Sequence, residues 1–206
     1  MSSPYLLQQN DASSYGFITD QGIKYKLYFL DYSYMFSDYP GITCPVYFFN
    51  IDVIDGDPDL TNSDKRIGLT VASIFISFFS NPRNVAIYVC DSMDERHLAR
   101  KRKFDGWFSR YNDGSMIKKD GVAMVAETEI YNSIILHKNN PQLNDIIQAF
   151  EELNESVSDK WDLLRLLVRV TRKQLQVLLV LMQADFDAFK MLFCFFIVFF
   201  FFQLFQ

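Results

Sequence analysis

The chain has 206 residues, of which half are apolar and 17% aromatic, and it carries a formal charge of −5. That length fits one domain of ordinary size plus an appendage, and the apolar content excludes a disordered chain. The charge is uneven: residues 1–156 hold 14 basic against 21 acidic side chains, a net −7, whereas residues 157–206 hold 6 against 4, a net +2. Cys44, Cys90 and Cys194 are odd in number, far apart and without metal-ligand spacing. No disulfide framework and no metal site is therefore expected, and a reducing compartment fits best. The opening MSSPYLLQQNDASSYG lacks the basic-then-apolar pattern of a secretory signal, so the domain is expected to be cytoplasmic.

Residues 1–14, rich in Ser, Gln and Asn, read as a flexible leader. In YGFITDQGIKYKLYF, Ile23, Tyr25, Leu27 and Phe29 alternate with Lys24, Lys26 and Tyr28, and Asp20, Gln21 and Gly22 supply a turn. That pattern predicts a β-hairpin. VYFFNIDVI from Val46 alternates again, with Tyr47, Phe49, Ile51 and Val53 on one face and Asn50 and Asp52 on the other. From Arg66 to Ser80, Ile67, Val71, Ile74, Phe75 and Phe78 recur at helical spacing beside a Thr70, Ser73, Ser77 stripe, and Asn81-Pro82 ends the helix. The run NVAIYVC, Asn84–Cys90, predicts an inner strand.

Ser92 with Glu95 forms a capping box for a second helix whose Phe104, Trp107, Phe108 and Tyr111 share a face, until Asn112-Asp113-Gly114 stops it. Lys119-Asp120-Gly121 reads as a turn entering β-rich residues Val122–His137, as one bent strand or as a hairpin. Asn140 as N-cap with Pro141 at the first helical position predicts a third helix, with Ile146, Ile147, Phe150 and Leu153 inward. The expected fold class is α+β: a mostly antiparallel sheet with about three packed helices, closing near Ser156, followed by a hydrophobic helical tail.

The segments YGFITDQGIKYKLYF, DKRIGLTVASIFISFF, IYVCDSMDERHLARKRKFDGWF and NNPQLNDIIQAF together resemble a bacterial family known only as a domain of unknown function, number 6169. The resemblance covers about residues 15–155, and its most specific part is IYVCDSMDERHLARKRKFDGWF. It implies a domain boundary and a topology, and carries over no catalytic residue.

The helix after Asp91 holds the candidate site. His97, Arg100 and Lys101 fall on the same stripe as the aromatic residues, and a cation facing a core must be paired. Asp91 at a strand end, with Arg96, His97 and Arg100 beside a helix N-terminus, would form a small-anion pocket. In the competing reading, Arg100 pairs with Asp91 or Asp64 and only fixes the helix. The basic cluster Arg96, Arg100, Lys101, Arg102, Lys103 points all around the helix of an acidic domain, so nucleic acid is not the expected partner. Asp55, Asp57 and Asp59 begin a calcium-loop spacing, but Leu60 and Arg66 stand where Gly and Glu are needed. No Gly-rich phosphate loop, GxSxG elbow or HExxH motif is present, and no cofactor is expected.

From Trp161 to Met182, Asp162, Arg165, Arg169, Arg172, Lys173 and Gln176 line one stripe, so residues 157–185 predict a basic amphipathic helix. Residues 186–206 then form an apolar segment in which Met191–Gln206 carries eight Phe and no charge. At roughly 2 kcal/mol per buried Phe, that is on the order of 15 kcal/mol of apolar transfer. Counted from Phe186 with Lys190 snorkelling, a helix would reach about 31 Å, enough for the roughly 30 Å hydrocarbon core. Phe193, Phe195, Phe196, Phe199, Phe200 and Phe202 would contact lipid, and the preceding basic residues would keep the domain at the inner, cytoplasmic face. A core helix and a low-complexity tail are the alternatives. The sequence thus points to a binding or interaction domain for a protein partner or small anion, tethered by its C-terminus, with a soluble enzyme or sensor for an anionic or phosphorylated ligand as the other class.

Overall fold

The computed structural model describes residues 3–11, 13–57, 60, 64–90, 96–125, 128–156 and 160–161. The chain divides into two compact units, Met1–Arg165 and Leu166–Gln206, and all described residues belong to the first. The expected Phe-rich segment and nearly all of the expected amphipathic helix lie outside them. Among the described residues no helix is long and apolar enough to cross a membrane.

The expected hairpin forms from β2, Ser14–Ile18, and β3, Lys24–Asp31, paired antiparallel. Its turn contains Gly22 at φ +81°, a left-handed conformation that glycine adopts without a Cβ penalty. β4, Val46–Asp55, pairs antiparallel with β3. β5, Val85–Cys90, then lies parallel to β4, as a strand must when a helix carries the chain back. That helix is α1, Lys65–Phe78, capped by Asp64, whose side chain accepts the Arg66 N–H. The run Met116–His137 resolves as a hairpin of β6, Met116–Val125, and β7, Thr128–His137. Lys119-Asp120-Gly121 therefore stands inside β6 and is no turn. Gly121 serves a different need: a Cβ there would lie 2.5 Å from Asn154 Nδ2 of α3, Leu143–Glu155, so glycine lets the helix approach.

The finished sheet has seven strands in the order β1-β2-β3-β4-β5-β7-β6, antiparallel throughout except at β4–β5. Its outer strand β1, Gln8–Asp11, comes from the segment expected to be a flexible leader. Tyr5 explains why that segment is held: its ring is buried and stacks on Phe17, its N–H donates to the buried Thr70 hydroxyl at 2.8 Å, and its hydroxyl donates to Asp64 at 2.6 Å.

Two helices cover one face of the sheet. Ile67, Val71 and Ile74 of α1 are buried with Leu27, Phe29 and Phe49 of β3 and β4, each worth about 1.5–3 kcal/mol of burial. α2, His97–Tyr111, sends Phe104, Trp107 and Phe108 into the same cluster. α3 covers the opposite face of β6 and β7, where Asn132 donates to Asn154 Oδ1 at 2.7 Å. Asn140 does not cap α3 in the expected way. Its Oδ1 accepts the Gln142 N–H at 2.9 Å and its Nδ2 donates to Pro82 O, so it ties the helix entry to the loop before β5. Beyond α3, Lys160 and Trp161, expected to lie in the tail, are buried in the domain.

Candidate functional site

β5, β7 and β6 carry side chains toward α2 in register. Ala86 pairs with Ile135 and Ile135 with Lys118; Tyr88 pairs with Ser133 and Ser133 with Asp120; Cys90 pairs with Tyr131 and Tyr131 with Val122. Successive side chains along a strand alternate faces, so these three rows all face α2. The middle row, Tyr88–Ser133–Asp120, is polar throughout, and Lys118 of the first row adds a charge beside it.

α2 matches this surface with a half-buried stripe of His97, Arg100, Lys101, Phe104, Asp105, Trp107, Phe108 and Tyr111. No residue of α2 is fully buried, so it rests on the sheet and does not plunge into the core. Lys101 bridges Asp105 at 2.8 Å and Asp120 at 3.1 Å, while Lys118 bridges Asp105 at 2.6 Å and also contacts Asp120. Two of these four pairs join α2 to β6. The Ser133 hydroxyl donates to Asp120 Oδ1 at 2.6 Å. Burial works against ionisation of Asp120, but the bonds from Lys118, Ser133 and Lys101 outweigh it and hold its carboxyl down at about 2.

A sign follows for acid stability. Asp120 is depressed in the fold, so its contribution is fully present above its unfolded pKa, near 3.8, and is lost as pH falls toward 2. The carboxylate is 45% exposed, and solvent screening reduces the contribution to on the order of 1 kcal/mol. Urea titrations between pH 4.5 and 2.5 are expected to show Asp120→Asn losing less stability on acidification than the natural chain. Parallel pH curves would remove Asp120 from the account.

Tyr88 stands between this cluster and an apolar cleft. Its hydroxyl is buried beside Ser133 and meets no partner of hydrogen-bonding geometry among the described residues, and burial pushes its pKa up. Its ring forms one wall of the cleft, together with Phe75 of α1 and Phe104, Trp107, Phe108 and Tyr111 of α2. Val71 and Ala72 continue the α1 side, and Met116 and Ile135 belong to the sheet side. The cleft has a volume of about 80 Å³, against roughly 10–15 Å³ for one water, so it has room for about six water-sized groups. Asn112, Asp113 and Ser115 of the turn after α2 also line it.

Trp107 owes its place to Gly68. A Cβ at position 68 would lie 2.5 Å from Trp107 Cδ1, so only glycine lets the indole lie against α1. The ring is then held edge-on by Phe104 at 5.3 Å.

Of the residues expected to form an anion pocket, Asp91 lies outside the described residues, as do Ser92 and Glu95 of the expected capping box. Arg96 is the N-cap of α2 and makes no side-chain cap bond to the helix. His97 stacks on Tyr131 at 5.4 Å, with a buried Nδ1 that has no partner among the described residues. Arg100 sits near Cys90: burial pushes that thiol up to about 11 while the Arg100 charge pulls the other way. The Asp64 carboxylate, offered as a partner for Arg100, instead caps α1 and accepts the Tyr5 hydroxyl. Among the described residues no cluster of His, Cys, Asp and Glu could hold a metal. Asp55 pairs with Lys24 at 2.8 Å, and Asp59 of the calcium-like spacing is outside the described residues. The residues that sequence reading missed are Tyr88, Asp105, Lys118, Asp120 and Ser133. Lys118 and Asp120 share a face only if 116–125 is a strand, a pattern concealed by reading Lys119–Gly121 as a turn.

No curated protein and no solved structure matches the chain. A family model does: residues 63–152 match DUF6169, a family of unknown function. The match extends from just before α1 almost to the end of α3, so it takes in every residue of the cleft and of the polar row beside it. Over those residues the chain is similar to the DUF6169 family.

Proposed function

We propose that the domain acts by binding a small molecule in the cleft between α1 and α2, and not by catalysis. The observation that carries this reading is the cleft itself: an apolar hollow, open at one side, walled by six aromatic rings inside the family-matched residues. Sites for small ligands are typically concave and mostly apolar, with a few polar groups at one side. The neighbouring ionisable groups favour binding over chemistry. A Cys90 thiol pushed up to about 11 is protonated at neutral pH and a poor nucleophile, and Lys101, Lys118, Asp105 and Asp120 satisfy one another.

The test is native mass spectrometry of the full chain for copurifying small molecules, beside the same chain carrying Ala72→Trp, which fills the cleft from the α1 side. Retention by the natural chain and loss in the variant is the expected result. An empty natural chain that also fails to enhance the fluorescence of a naphthylamine probe would sink the reading.

The C-terminal composition supports a tether as a second component. Eight Phe and no charge in Met191–Gln206, preceded by Arg165, Arg169, Arg172, Lys173 and Lys190, suit an apolar anchor with basic residues on the cytoplasmic side. The chain is expected in the membrane pellet after alkaline extraction, and in the supernatant once residues 186–206 are removed. A full chain in the supernatant would eliminate the tether and leave the cleft proposal standing.

A further inference from the structure

The charge and wall chemistry of the cleft narrow its ligand class. Phe75, Tyr88, Phe104, Trp107, Phe108 and Tyr111 surround it, and their planes differ: Phe104 and Trp107 stand at 87° to each other, Tyr88 and Phe104 at 37°. An aromatic face carries negative charge density and an edge positive, so rings at several angles can offer faces to one bound group. Trp107 already receives such a group, with the Lys103 ammonium 5.5 Å from its ring centroid.

The rim adds sign. Among the described residues lining the cleft, Asp113 is the one charged side chain, and none is Lys, Arg or His. The Ser115 hydroxyl and N–H both donate to Asp113 and hold its carboxyl below the usual range, with a smaller contribution from the Lys138 charge. It is therefore ionised at neutral pH. The turn bearing it follows directly from the C-terminal end of α2, where the helix carbonyls present partial negative charge. An anionic ligand would meet a carboxylate, a negative helix end and aromatic faces. A cation would find all three favourable, against the Lys103 ammonium on Trp107 and the Arg110 charge in the last turn of α2.

We propose that the cleft binds a small organic cation whose charge is spread over methyl groups, a quaternary or methylated ammonium compound. This rests on the reading of the cleft as a ligand site. A trimethylammonium head has four non-hydrogen atoms, within the roughly six water-sized groups the volume admits. It is apolar enough to leave water and charged enough to gain from aromatic faces.

The experiment titrates the full chain with choline and with its uncharged carbon isostere, 3,3-dimethylbutan-1-ol, reading tryptophan emission and heat. Choline is expected to bind about fivefold or more tightly than the isostere. Asp113→Asn is expected to weaken choline while leaving the isostere unchanged, and Trp107→Leu to weaken choline most and abolish the emission change. Equal or tighter binding of the isostere would overturn the cation inference while leaving the cleft a ligand site. Failure of both compounds to bind, with the naphthylamine probe still bound, also overturns the inference alone. Failure of all three overturns the ligand site as well.

Discussion

Gly68→Ala is expected to destabilise the domain even though alanine is the better helix former. In an exposed helix interior the exchange would gain about 1 kcal/mol. At position 68 the new methyl would lie 2.5 Å from Trp107 Cδ1, and the obstacle is a ring, not the end of a flexible chain. Trp107 cannot simply swing away, since Phe104 flanks it at 5.3 Å. α2 must shift, and overpacking of this kind costs about 1–3 kcal/mol. At the middle of that range the net expectation is a loss of about 1 kcal/mol, or roughly 2–4 °C in Tm, together with weaker probe binding. A double-mutant cycle with Trp107→Leu isolates the cause. With the indole gone, alanine at position 68 is expected to become neutral or stabilising. A single variant as stable as the natural chain would show that α2 slides freely over α1, and the account of how Trp107 is seated would fall.

Trp161→Ala should have the larger effect, outside the family-matched residues. Trp161 has no exposed surface, its ring meets Phe150 at 6.0 Å, and its Nε1–H donates to Leu153 O at 3.0 Å. Removing a buried Trp costs about 3–5 kcal/mol, a large share of the 5–15 kcal/mol that stabilises an ordinary domain. The residue before it is held just as firmly: Lys160 O accepts the Tyr32 hydroxyl at 2.8 Å, and Lys160 Nζ meets Asp38 at 2.6 Å. Trp161→Phe keeps most of the buried ring but loses the hydrogen bond, leaving Leu153 O without it, so about 1–2 kcal/mol should go. Denaturant midpoints of the full-chain variants are expected to fall in the order natural, Phe, Ala. An alanine variant with the natural midpoint would mean that the domain ends at α3.

That boundary shows where sequence patterns stop being informative. Trp161 opens a stretch of amphipathic periodicity and reads as part of it, since periodicity averages over a window and cannot say which single residue turns back to cap a core. The leader is the mirror case. Its Ser, Gln and Asn content describes a chain without a core of its own, yet Tyr5 finds its partners at Thr70 and Asp64, more than fifty residues away. Composition carries no record of such contacts.

The site divides in the same way. The stripe on α2 was legible because helical spacing alone decides which residues share a face, and the structure half-buries the stripe from His97 to Tyr111. What those residues meet depended on the strands opposite. With Lys119–Gly121 read as a turn, Lys118 and Asp120 share no face, and their pairing with Lys101 and Asp105 of α2 stays hidden. Gly121 explains the misreading: glycine signals a turn or a close approach, and only the position of Asn154 distinguishes the two.

By itself, the sequence determined the α+β class, the β2–β3 hairpin, three helices and the aromatic face of α2, because each follows from local spacing that survives whatever packs against it. Only the tertiary structure decided the strand order, with β7 inside β6, the passage of Tyr5 and Trp161 into the core, and the cleft with its neighbouring ion-pair row. These depend on residues far apart in the chain meeting at fixed distances, and on a glycine at position 68 whose purpose is visible only from the indole lying against it.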